Sequence, residues 1–198
     1  GCTSLASAGI TIDPQPVTPS APVPGTISQP TCTVATGSIP LTGLPSSGTW
    51  TLTRVPGNVT TTGSGIATTI AGLTTGVYSF TVTNSSGCTS ASSPDVTISA
   101  QPVTPSAPLI GTITQPSCTV ATGAAALSGL PATGNWIITR TPGGVTTNGS
   151  GTTTAVSGLP AGTYSFTVTN SVGCTSSASQ NVVINIQPPT PSAPLPGT

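Results

Sequence analysis

The octapeptide Gln15-Pro16-Val17-Thr18-Pro19-Ser20-Ala21-Pro22 returns unchanged from Gln101 to Pro108 and almost unchanged from Gln187 to Pro194. A chain written this way must fold one unit twice. The period is 86 residues, and residues 15–100 and 101–186 share about 54 of 86 positions. That period is too long for one coil of a solenoid and suits a small two-sheet β domain. The frame divides into 1–14, the final strand of a preceding repeat; 15–100, repeat 1; 101–186, repeat 2; and 187–198, a spacer and the start of a following repeat. Such a frame is expected of a piece taken from a longer array. The three prolines of each octapeptide favour extended polyproline II, so 15–22 and 101–108 read as stiff linkers.

Within a repeat, Pro, Gly and β-branched residues interrupt every window that could hold a helix. Strand signals recur instead, bounded by Gly, Pro, Asn and Ser. In repeat 1 they predict strands near 25–35, 38–44, 49–55, 58–62, 66–71, 76–84 and 94–100. Seven short strands predict an all-β fold of two packed sheets. In the run from Val77 to Thr83, Tyr78, Phe80 and Val82 share one face while Val77, Ser79, Thr81 and Thr83 share the other. That alternation marks a half-buried strand. Each repeat has one Trp, one Tyr and one Phe at matching places. Trp50, Tyr78, Phe80, Trp136, Tyr164 and Phe166 are therefore read as core anchors, with sugar stacking on Trp50 and Trp136 as the functional alternative.

The segments Leu73-Thr74-Thr75-Gly76-Val77-Tyr78 and Leu159-Pro160-Ala161-Gly162-Thr163-Tyr164 resemble the tyrosine corner of immunoglobulin-like and fibronectin-like domains. There a Tyr hydroxyl ties strand F to the connection before it. The resemblance implies tandem immunoglobulin-like (fibronectin/PKD-like) seven-stranded β-sandwiches joined by Pro-rich linkers, with Trp50 and Trp136 on strand C.

Cys32 and Cys88 are 56 residues apart, as are Cys118 and Cys174. With no His and no C-x-x-C pair, metal binding is a poor reading, and no base stands ready to activate a thiol. Two disulfide patterns fit the period. Pairing within repeats gives Cys32–Cys88 and Cys118–Cys174 and leaves Cys2 to pair outside the chain. Pairing across the spacer gives Cys2–Cys32 and Cys88–Cys118 and leaves Cys174. Cys88 follows the turn after strand F, near the N-terminal end of its domain. If Cys32 lies near that end too, the within-repeat pattern is favoured, because a disulfide needs Cα atoms about 4.4–6.8 Å apart. Either pattern implies an oxidising, extracellular setting.

The combination of Pro-x-Cys early in the repeat with Gly-Leu-x-x-Gly-x-Tyr-Ser-Phe-Thr-Val-Thr-Asn-Ser-x-Gly-Cys-Thr later resembles the repeats of SprB-type gliding-motility adhesins and related surface proteins of Bacteroidota. The resemblance implies long, secreted cell-surface filaments or adhesins. Such repeats often carry Asp where this chain has Asn84 and Asn170.

Only Asp13, Arg54, Asp95 and Arg140 are charged. Two arginines cannot make a nucleic-acid-binding face, and no segment is long and apolar enough for a membrane helix. General acid–base catalysis needs adjoining titratable groups, but Asp95 aligns with Asn181, and Asp13 with Ser99 and Asn185. No enzyme activity and no cofactor are expected. Arg54 and Arg140 recur at the ends of the Trp strands, as solvated strand ends whose stems cover the core edge or as contacts to a neighbouring copy. Asn58, Asn84 and Asn148 begin acceptor-like Asn-x-Ser/Thr triplets, at a frequency close to chance for this composition. The expected function is structural: a repeat segment of an extracellular filament or adhesin stalk whose partners are further copies of itself. The alternative is a module that binds ligands such as surface glycans.

Overall fold

The computed structural model describes residues 1–192. Every regular element in it is a β-strand. The chain divides into two compact units, Gly1–Gln101 and Pro102–Thr198. The first unit contains β1 (Val23–Pro24), β2 (Gly37–Thr42), β3 (Thr49–Val55), β4 (Val59–Ser64), β5 (Ala67–Leu73), β6 (Gly76–Thr83) and β7 (Val96–Ile98). The second contains β8 (Leu109–Thr114), β9 (Gly123–Ser128), β10 (Asn135–Thr141), β11 (Val145–Ser150), β12 (Thr153–Leu159), β13 (Gly162–Thr169) and β14 (Val182–Ile184).

All pairings are antiparallel. In the first unit one sheet runs β1-β2-β5 and the other β4-β3-β6-β7. The second unit repeats this as β8-β9-β12 and β11-β10-β13-β14. In each unit a single cluster of buried side chains draws on both sheets, so the sheets face one another. Ile39, Leu41 and Leu73 meet Trp50, Leu52, Tyr78, Phe80, Val82, Val96 and Ile98 in the first. Leu127 and Leu159 meet Trp136, Ile138, Tyr164, Phe166, Val168, Val182 and Ile184 in the second. The period-2 pattern causes this directly: β6 buries Tyr78, Phe80 and Val82 and leaves the residues between them partly exposed.

Three expectations are corrected. The first strand is not one run over 25–35. It is reduced to Val23–Pro24 and a lone bridge between Ser28 and Ser38. Pro24 and Pro40 face each other's strands without N–H groups to donate. Where the second unit has Ile110 and Ala126, β8 extends over six residues. Past the bridge, Gln29 ties this segment to the last strand: its Nε2 donates to Thr97 O (2.9 Å), and Ser99 N donates to its Oε1 (2.9 Å).

The last strand is likewise shorter than 94–100. The stretch before it runs beside β6 and is held by buried serines. Ser93 N donates to Phe80 O and Ser93 Oγ accepts from Phe80 N; Ser90 does the same with Val82. Ser176 and Ser179 repeat the arrangement on Val168 and Phe166. A serine hydroxyl thus stands in for a ladder carbonyl on an otherwise open stretch of strand edge.

Finally, residues 1–14 form no strand; Leu5, Ile10 and Ile12 are exposed and have no ladder partner. Of the spacer assigned to 187–198, residues 193–198 lie outside those described.

Candidate functional site

The aromatic residues lie inside each unit. Trp50 and Trp136 are only 3% and 2% exposed. Each indole lies across a glycine directly opposite on the next strand, Trp50 on Gly63 and Trp136 on Gly149. A Cβ built at either glycine would fall inside contact distance of the ring. Each indole N–H donates to a turn carbonyl, Gly65 O at 2.8 Å and Gly151 O at 2.7 Å. With the ring faces packed and the N–H groups engaged, neither Trp offers a platform for a sugar, and that alternative is withdrawn.

Tyr78 Oη donates to Thr74 O (2.9 Å), and Tyr164 Oη to Pro160 O (3.0 Å). Each hydroxyl ties the strand to the turn four residues back. Arg54 and Arg140 cover these tyrosines. Their guanidinium carbons sit 5.5 and 5.3 Å from the ring centroids, a cation–π distance worth roughly 0.5–2 kcal/mol. The recurring arginine was visible in the sequence; its tyrosine partner was not, because it lies on the neighbouring strand.

The two ends of each unit carry the remaining side-chain ties. At the N-terminal end, Asn84 Oδ1 accepts from Ser86 N and Cys88 N, while Asn84 Nδ2 donates to Val17 O at 2.8 Å. Asn170 repeats this with Val172 N, Cys174 N and Val103 O. The Asn pair thus anchors the spacer to the turn after β6 or β13. The only sequence signal was that Asn recurs at one period. An Asp could not donate to the spacer carbonyl, which explains why this chain departs from the Asp of similar repeats. At the C-terminal end, Gln101 Nε2 donates to Thr31 O and Cys32 O. Gln187 does the same to Cys118 O.

These ties overturn the expected disulfide pattern. Cys32 lies in a turn after the first segment, at the C-terminal end of its unit beside Gln101. Cys88 lies at the opposite end, its Sγ 3.8 Å from Pro16 O. The eight residues of β6 separate the two ends. At about 3.3 Å per residue that is over 20 Å, far beyond disulfide reach. Cys2, Cys88 and Cys118 are free thiols, so Cys32–Cys88 and Cys118–Cys174 do not form. Cys2–Cys32 and Cys88–Cys118 do not form either. Cys32 and Cys174 are each disulfide-bonded.

Of the acceptor-like asparagines, Asn58 and Asn148 are exposed in turn and strand. Asn84 already spends its amide N–H on Val17 O, so glycosylation there would break the spacer tie. Four surface depressions, including one over Asn135, Trp136, Asn148 and Gly149, have no acid, base or thiol in their lining.

Strands 1, 2 and 5 facing strands 4, 3, 6 and 7, closed by a tyrosine corner, define an immunoglobulin-like β-sandwich, present here twice. No family profile and no curated protein matches the chain. Among solved structures, it is similar to the FN1–FN3 domains of chicken CNTN1 (TM-score 0.40, 13% identity, covering 87% of this chain and 65% of that one). It is similar also to murine CEACAM1b (0.43, 14%, 84% and 98%) and to the human OSCAR ligand-binding domain (0.34, 14%, 83% and 100%). The chain thus spans about two thirds of the CNTN1 structure.

Proposed function

We propose that this chain is a structural segment of an extracellular cell-surface filament or adhesin stalk whose partners are further copies of the same repeat. The observation that carries this reading is that the two units reproduce each other's polar ties at both ends. Asn84 and Asn170, Gln29 and Gln115, and Gln101 and Gln187 make equivalent bonds. A module shaped around a ligand would differ at the loops that touch it. Here the loops hold the spacer, and the depressions between them lack charge.

The surface fits the same role. The outer strands β4 and β11 carry no charged residue. Natural edges are usually guarded by charge or Pro, so these tolerate side-by-side association with little repulsion. Oxidised cysteines fit an extracellular setting. The SprB-type resemblance supplies the wider context we adopt: a secreted surface array in the Bacteroidota. Negative-stain electron microscopy of the purified protein is expected to show ordered fibres or bundles. Isolated particles that also bind defined sugars on a glycan array would instead make it a ligand-binding module.

A further inference from the structure

We propose that consecutive repeats are joined by a disulfide that spans the spacer, from the Pro-x-Cys turn of one repeat to the Gly-Cys turn of the next, here Cys32 to Cys174. The argument rests on each unit separately. The Cys32 turn is held to Gln101 through Thr31 O and Cys32 O, at 3.2 and 3.3 Å. The Cys174 turn is held to Val103 through Asn170, with Cys174 N on Asn170 Oδ1 and Asn170 Nδ2 on Val103 O, both at 2.9 Å. One residue separates Gln101 from Val103, so their Cα atoms lie no more than about 7 Å apart. The two turns are thereby tied to opposite ends of one short stretch of chain.

The oxidation states agree. Cys32 and Cys174 are disulfide-bonded, whereas Cys2, Cys88 and Cys118 are free. The bond forms by exchange with a disulfide-carrying oxidant. As the S–S bond closes, two thiol protons and two electrons leave the cysteine pair, and the oxidant's own disulfide becomes two thiols.

The rule is periodic. The first cysteine of each repeat pairs with the second cysteine of the next, 142 residues on. Cys88 and Cys118 are then the open halves of two further bridges, one to a repeat on each side. A load along such an array is carried by the disulfide in parallel with the spacer, and the joint cannot extend as a free linker would. The pairing stands whether the array is a stalk or a ligand-bearing adhesin.

The two arginines make the test direct. Trypsin yields 1–54 with Cys2 and Cys32, 55–140 with Cys88 and Cys118, and 141–198 with Cys174. The monomer is purified under oxidising conditions, its free thiols are alkylated, and it is then denatured and digested without reductant. The expected result is 1–54 joined to 141–198 through Cys32 and Cys174, with 55–140 released and doubly alkylated. In Cys174→Ser, Cys32 should become fully alkylatable. Three peptides joined in one species, three separate peptides, or a Cys32–Cys174 bridge found only between chains would each overturn the proposal.

Discussion

Phe166→Ala is expected to destabilise the second unit by about 3–5 kcal/mol, the range for truncating a buried aromatic. Phe166 is fully buried. Its N–H is held by Ser179 Oγ and its carbonyl by Ser179 N, which pins the backbone around the void and limits collapse. A domain of this size has roughly 5–15 kcal/mol of stability in total. Each kcal/mol moves the melting temperature by about 4–8 °C, so thermal unfolding followed by circular dichroism should show a loss of well over 10 °C for that unit.

Gly149→Ala is expected to cost about 1–3 kcal/mol, as overpacking does, although alanine is ordinarily the milder residue in a strand interior. The added methyl would meet Trp136 Cη2 and its neighbours. The indole cannot retreat without losing its 2.7 Å bond to Gly151 O. Urea titration should show a lower midpoint, while Gly9→Ala, where a methyl meets nothing, leaves it unchanged. An unchanged midpoint for Gly149→Ala would mean that the indole does not lie on that strand.

Much of the fold was legible because its signals are local. The run Val77–Thr83 alternates cleanly, and the strand expected at 76–84 forms as Gly76–Thr83. The Trp strand expected at 49–55 forms as Thr49–Val55. What failed depended on partners distant in sequence. The apolar run from Gly25 reads as a strand, but Pro24 and Pro40 remove the donors that would have laddered it. The buried serines look like loop residues until the open edge of β6 is placed beside them. The cysteine pairing failed for a topological reason. The first segment crosses the whole unit before Cys32, which puts Cys32 at the C-terminal end, where the next repeat begins. Spacing alone cannot tell one end of a sandwich from the other.

Each unit contains a single Trp, so Trp50→Phe and Trp136→Phe leave one fluorescent reporter apiece. The most direct measurement is urea unfolding of both variants with and without Phe166→Ala, in reducing buffer so that no disulfide couples the units. Two self-contained cores predict that the Trp136 transition falls while the Trp50 transition stays within about 0.3–0.5 kcal/mol. Both transitions falling together would contradict the account, because it would mean that the repeats share one cooperative core.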